Sequence, residues 1–363
     1  MTKEEEKILD GEKGEVLQKA MEILVSIGDI YDAECLVRIK SAHISGISYT
    51  NIGDVGVNLL CSFSKEKVKV RTTCNPACLD LESKFWREKV GKEIYDRQIE
   101  IKRILEKMNV CTTFTCTPYL VGNKPSKNDI IAWSESSAVI FANSVLGAKT
   151  NKESGITALA AALIGKTPKY GFLLDENRKP DVKIIVRTKL TSISDYSALG
   201  FFVGRELKES NIPLFIFKDK PTIENLKSLG AGLAIAGNIA MFICNKDSKE
   251  KIEVVEVEEG EIKEIYEEFY VDNPELICLG CPHASLNEMK RYLRICGRKW
   301  IFLARDLLKT RKIEKKECFV CDTCLAVSPI LRNLNVERIA TNSTKLAFLV
   351  RNLHNVESGL IKV

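Results

Sequence analysis

Apolar positions in residues 14–30 recur at helical spacing, through Val16, Leu17, Ala20, Met21, Ile23, Leu24 and Ile27, which predicts an amphipathic helix. Residues 90–108 keep that period among many charges and predict a surface helix. A short alternating run at 68–71 predicts a strand leading into Thr72-Thr73-Cys74-Asn75-Pro76, and residues 51–54 read as a helix start. From about residue 180 short apolar runs take over, at 183–187, 213–217, 240–244, 252–257, 276–279 and 300–303. Helical segments at 192–208, 222–229, 286–293 and 305–312 separate most of them, and Gly200 and Gly204 in the first allow close packing. Strands alternating with helices predict an α/β fold with largely parallel sheets, in which the loops after strands carry ligand groups.

The chain's 363 residues suggest two or three domains. A hydrophobic share of 45% and a charged share of 28% belong to an ordinary soluble globular protein. The net charge of +5 arises from 54 basic and 49 acidic residues. That balance gives no footprint for nucleic acid and is compatible with a small anionic substrate. The longest apolar run, 229–244, is broken by Gly230, Gly232, Gly237 and Asn238, so no membrane span is expected. The acidic N-terminal stretch lacks the apolar core of a secretory signal, and a cytoplasmic location is expected.

Thirteen cysteines turn attention to metal or redox chemistry, because a reducing compartment does not favour disulfides. Cys35, Cys61, Cys244 and Cys296 lie in apolar contexts that suit inert core thiols. Cys278-x-x-Cys281 and Cys318-x-x-Cys321-x-x-Cys324 have metal-ligand spacing. A structural zinc site would use Cys278, Cys281, Cys321 and Cys324. An electron-transfer cluster would take four thiolates, and a catalytic cluster three. Spacing alone favours zinc, but context points elsewhere. Cys281 precedes Pro282, His283 and Ser285, and Cys324 follows Asp322-Thr323, with Asn342-Ser343 soon after. Cys116 opens the most densely polar stretch, 116–171, with Trp133-Ser-Glu-Ser-Ser137, Asn143-Ser144 and Lys149-Thr-Asn151. Three thiols from distant stretches, each among polar residues, describe a site in an interdomain cleft.

At this point the sequence resembles the aconitase X family. The motifs are Ser41-Ala-His-Ile-Ser-Gly-Ile-Ser-Tyr, Cys116-Thr-Pro-Tyr-Leu, Trp133-Ser-Glu-Ser-Ser-Ala-Val, Asn143-Ser-Val-Leu-Gly-Ala, Gly280-Cys-Pro-His-Ala-Ser, Asp322-Thr-Cys and Thr341-Asn-Ser. They run in order through nearly the whole chain, which is similar in size to the separate large subunits of archaeal members. Departures are Lys149 and Lys152 where relatives often carry arginine, Ser154 for glycine, Cys74 for leucine, and a more apolar Lys345-Leu-Ala-Phe-Leu.

The resemblance implies an aconitase-like fold of three α/β layered domains around an interdomain cleft. The expected division is a helix-rich α/β region at 1–110, a cluster- and substrate-binding α/β domain at 111–205, and a C-terminal α/β domain with cluster cysteines at 206–363. It implies an iron–sulfur cluster, [4Fe-4S], held by Cys116, Cys281 and Cys324. It further implies a substrate site around His43, Ser45, Gly46, Thr72, Thr73, Asn75, Ser134, Glu135, Ser136, Asn143, Lys149, Thr150 and Asn342. The implied reaction is dehydration of (R)-mevalonate 5-phosphate to trans-anhydromevalonate 5-phosphate in an archaeal isoprenoid pathway. A small swivelling subunit would complete a heterodimer and supply the base, while His43 or His283 could polarise water or orient groups. Other readings are a dehydratase of another hydroxy acid, such as a hydroxyproline, and a zinc-stabilised α/β binding protein.

Overall fold

The computed structural model describes residues 1–244 and 252–363. The strands are β1 (Leu36–Arg38), β2 (Ser41–Ile44), β3 (Arg71–Cys74), β4 (Ala132–Trp133), β5 (Lys166–Pro168), β6 (Val182–Val186), β7 (Pro213–Ile216), β8 (Ile243–Cys244), β9 (Glu253–Val257), β10 (Leu276–Leu279), β11 (Lys299–Leu303), β12 (Phe319–Cys321), β13 (Arg338–Thr341) and β14 (Glu357–Leu360). Among the described residues three sheets are wholly parallel, in the orders β3-β2-β4, β8-β7-β6-β9 and β12-β11-β10-β13-β14. A parallel pair needs a long crossover, and helices such as Ile193–Glu206 and Leu286–Tyr292 supply it. β1 and β5 form a small antiparallel ribbon.

Each parallel sheet has its own apolar core. Helices Glu15–Ile30 and Gly155–Ile164 cover the first sheet with Met21, Leu24, Leu159 and Leu163. In the second, helices Ile193–Glu206 and Ile223–Gly237 meet backbone to backbone. A Cβ on Gly200 would stand 2.2 Å from the Leu229 carbonyl oxygen, so the close packing expected there depends on the missing side chain. The third sheet is covered on both faces, as a parallel sheet requires.

Two predicted strands move. The strand expected at 68–71 lies at β3, because Thr72 and Thr73 pair with Ala42 and His43 and their hydroxyls find partners at Val70 O and His43 Nδ1. Internal satisfaction lets polar residues occupy a buried ladder. The strand expected at 240–244 shrinks to β8. The Ala240 carbonyl accepts from Asn143 Nδ2 and the Phe242 N–H donates to Ser144 Oγ, so side chains replace the ladder. The expected boundaries near 110 and 205 cut through sheets, since β2, β3 and β4 span 41–133 and β6 to β9 span 182–257.

Candidate active site

Two parallel sheets turn their carboxyl edges toward one cavity of about 100 Å³. The first sheet brings Gly46 after β2, Asn75 after β3 and Glu135 after β4; the third brings Cys281 after β10, Cys324 after β12 and Lys345 after β13. Cys116 joins them from the segment after helix Lys92–Lys107, held beside the end of β3 where Thr115 N–H donates to Cys74 O at 3.0 Å. Ligand groups at the carboxyl ends of parallel strands follow the general rule for such sheets.

A directional hydrogen-bond chain organises one wall. Thr73 Oγ1 accepts from Asn123 Nδ2 at 2.8 Å and lies 2.8 Å from His43 Nδ1. His43 Nε2 lies 2.9 Å from Asn75 Oδ1, and Asn75 Nδ2 donates to Glu135 Oε2 at 3.0 Å. Because Asn75 Oδ1 only accepts, His43 carries its proton on Nε2, and Thr73 O–H points to Nδ1. Burial pushes the His43 pKa down to about 4, so the ring is neutral. Lys345 Nζ donates to Glu135 Oε1 at 2.7 Å, Ser137 Oγ at 2.6 Å and Ser136 Oγ at 3.1 Å. Burial alone would raise Glu135, but the Lys345 ammonium and the bonds from Asn75 and Lys345 outweigh it and hold the carboxyl at about 2. Burial likewise opposes the charge on Lys345, and Glu135 more than restores it, leaving its pKa above the ordinary value.

His283 ties the three cysteine loops together. Its Nε2–H donates to Thr323 O at 2.9 Å, its Nδ1 accepts from Thr115 Oγ1 at 2.9 Å, and its backbone N–H donates to Cys116 Sγ at 3.2 Å. Thr115 precedes Cys116, and Thr323 precedes Cys324. Both ring nitrogens of His43 and of His283 are committed, so neither ring has a free nitrogen for a substrate. Burial also lowers the His283 pKa to about 4. Arg305 steadies the Cys324 turn by donating to Asp322 Oδ2 at 2.6 Å.

Burial pushes the thiols up: Cys116 well above its usual value, Cys281 upward, and Cys324 to about 12. Among the described residues no group of three His, Cys, Asp or Glu side chains is arranged to hold a metal ion as the side chains stand. A single zinc would draw its sulfurs to about 2.3 Å from itself, whereas these three thiols surround a cavity. Their chemistry fits a polynuclear cluster. The donors are soft sulfurs, Cys116 Sγ and Cys324 Sγ each accept a backbone N–H, from His283 and Ala326, and among the described residues no fourth thiol lines the space. The four-thiol zinc arrangement does not form. Cys278 packs with Leu276 and Trp300 on one face of the third sheet, and Cys321 with Leu279 and Ile301 on the other.

The remaining expected site residues divide. Ser45 and Ser134 stitch β2 to β4, with Ser45 N–H donating to Ser134 Oγ at 2.7 Å. Asn143 and Thr150 form a separate corner in which Asn143 Oδ1 accepts from Thr150 N–H and Arg178. Lys149 pairs with Asp175 at 2.8 Å and does not line the cavity. Asn342 lies off it too, donating to Tyr292 Oη at 2.9 Å, with its Oδ1 buried and unpartnered. The Thr72 hydroxyl donates to Val70 O, just before β3. Lys345 and Ser137 line the cavity without having been expected there; their signals were the position of Lys345 just past Thr341-Asn342-Ser343 and the serine run after Glu135.

Models for the aconitase X first, second and third domains match residues 1–176, 180–276 and 274–363 in succession. The phosphomevalonate dehydratase large subunit of Methanocaldococcus jannaschii is 47% identical, covering 96% of this chain and 94% of that protein. A cis-3-hydroxy-L-proline dehydratase of Hypocrea jecorina is 29% identical, covering 79% of this chain and 52% of its own length. The crystal structure of Thermococcus kodakaraensis aconitase X in its holo-form superposes with a TM-score of 0.90 at 41% identity, over 100% of this chain and 97% of that one. Matched domain by domain from end to end, and sharing the fold over its whole length, the chain belongs to the aconitase X family.

Proposed function

We propose that this hydro-lyase chain is the large subunit of a two-subunit iron–sulfur enzyme that dehydrates (R)-mevalonate 5-phosphate to trans-anhydromevalonate 5-phosphate in the archaeal mevalonate pathway. The observation that carries the reading is the convergence of Cys116, Cys281 and Cys324 on a cavity also walled by Asn75, Glu135 and Lys345. The name of the archaeal relative supports the substrate and the two-subunit organisation.

Cys116, Cys281 and Cys324 would hold the cluster, proposed as [4Fe-4S], which when bound supplies Lewis acidity toward a hydroxyl leaving group at an iron without a protein thiolate. Lys345 contributes a fixed positive charge suited to the substrate carboxylate. Glu135, Ser136 and Ser137 aim that ammonium, and His43 fixes Asn75 through its Nε2–H. Gly46 leaves open space, since a Cβ there would meet nothing within 4 Å, so a ligand can approach the backbone. The proton next to a carboxylate is weakly acidic and needs a placed base. With His43 and His283 both committed, that base is assigned to the small swivelling subunit. The phosphate donors are assigned to that subunit too, because Lys149, Thr72, Asn143 and Thr150 are engaged elsewhere. No helix among the described residues is long and apolar enough to cross a membrane, and the reaction is proposed to run in the cytoplasm.

The test is turnover by the anaerobically co-purified subunits on (R)-mevalonate 5-phosphate and on cis-3-hydroxy-L-proline, with iron and sulfide measured on the same sample. Dehydration of the phosphorylated substrate alone is expected. Turnover of the proline alone would move the chain to another hydroxy acid, and stoichiometric zinc without iron would favour a binding protein.

A further inference from the structure

Among the described residues the second domain contributes no cysteine to the cavity, yet one of its side chains reaches the loop that carries Cys281. Lys227, on helix Ile223–Gly237, is only 5% exposed. Its ammonium donates to Pro282 O at 3.3 Å and to His283 O at 3.0 Å, and it pairs with the Glu288 carboxylate. Glu288 is 2% exposed and also accepts from Ser285 N–H at 2.8 Å. A lysine and a glutamate buried together are costly unless closely paired and hydrogen-bonded. Placing one here needs an explanation beyond holding two domains together.

The explanation is in the peptide unit that Lys227 touches. The Pro282 carbonyl belongs to the same peptide group as the His283 N–H, and that N–H donates to Cys116 Sγ at 3.2 Å. A cation at the oxygen end polarises the group and strengthens its N–H as a donor. We propose that Lys227 is a positioning residue for the cluster site: through the peptide between Pro282 and His283 it strengthens the hydrogen bond received by Cys116 Sγ, and so raises the cluster's reduction potential and slows its loss. The inference rests on the cluster reading above. Hydrogen bonds to ligand sulfurs and local charge are the means by which a protein tunes such a cluster. It gives the second domain a role at a site built by the other two.

The test compares the anaerobically purified complex of both subunits as wild type, K227M, E288Q and K227M/E288Q. The readouts are iron and sulfide per chain, the rate of iron loss in air, and the midpoint potential followed by visible absorbance. K227M and the double variant are expected to shift the potential downward and to lose iron roughly tenfold faster, the lower end of the effect of removing an outer partner of a metal ligand. E288Q keeps the ammonium and should shift neither quantity in that direction. The double variant removes the carboxylate that K227M alone would leave buried without a partner, so general destabilisation is separated from tuning. A double variant with wild-type potential and iron retention overturns the inference, because K227M would then act only through the stranded Glu288. A wild-type cluster that all three variants leave unchanged overturns this inference alone. A wild type without iron and sulfide overturns the cluster reading and this inference with it.

Discussion

Lys345 is a buried cation whose partners are all on the opposite wall of the cavity, Glu135, Ser136 and Ser137. Lys345→Met should lower turnover by roughly 10²–10³, the range for losing one preorganised donor to a developing charge. It should also cost about 3–5 kcal/mol of stability by stranding Glu135. Adding Glu135→Gln should recover stability in denaturant unfolding but not turnover; recovery of both would make the pair structural. His43 and His283 set a pH dependence. Each falls from an ordinary 6.5 to about 4 on folding. Below pH 6.5 the unfolded chain takes up these protons and the folded chain does not, so stability declines as pH falls from 6.5 toward 4, by up to about 3 kcal/mol for each ring. Glu135, held down at about 2 from an ordinary 4.5, extends the loss to lower pH. The melting temperature of the cluster-free chain should drop between pH 7 and pH 5, less steeply in His43→Gln; a flat profile would contradict the neutral assignment. Cys116, Cys281 and Cys324 stood out in the sequence because each sits among polar residues that no apolar core needs, and all three line the cavity. Lys345 was not, since a lysine in a first helical turn reads as solvated until a second sheet closes over it. The corner at Lys149 is polar for a local reason: its groups bond one another and Asp175, away from the cavity.

Strand alternation decides which thiols can meet. Within β10 and β12 successive side chains point to opposite faces, so Cys278 and Cys321 enter separate cores while Cys281 and Cys324, beyond the strand ends, reach the cavity. The turn after β10 depends on Gly280, whose φ is +94° and whose Cβ would stand 2.3 Å from Phe302 O. Gly280→Ala should cost at least about 1–3 kcal/mol for the backbone strain alone and displace Cys281. Lower iron content and an earlier thermal transition are expected, and unchanged values would show that the turn tolerates a side chain. At this scale the sequence was informative wherever apolar runs were long, as in β6, β7 and β11. It misplaced β3 and overextended β8 because side-chain bonds there take over the work of the ladder, a tertiary effect with no local apolar signature.

Across the whole molecule, the cavity exists only because the carboxyl edges of the first and third sheets face each other. A cleft was readable in outline from three thiols in distant polar stretches, and its detail was hidden because strands far apart in sequence, such as β3 and β4, share one sheet. The cavity wall includes Ser48, Asn51, Val327 and Leu349, and the base is proposed to come from a second subunit. The isolated chain should therefore retain iron yet fail to dehydrate (R)-mevalonate 5-phosphate; robust turnover without the small subunit would contradict that division of labour. The central claim is that thiols far apart in sequence form one cluster site, and anaerobic iron and sulfide analysis of single Cys→Ser variants tests it most directly. Cys116→Ser, Cys281→Ser and Cys324→Ser should each empty the site. Cys278→Ser, Cys318→Ser and Cys321→Ser should keep it, with the two buried positions losing about 1–3 kcal/mol of stability from a buried hydroxyl. A Cys321→Ser protein without iron beside a Cys116→Ser protein that retains it would contradict the account.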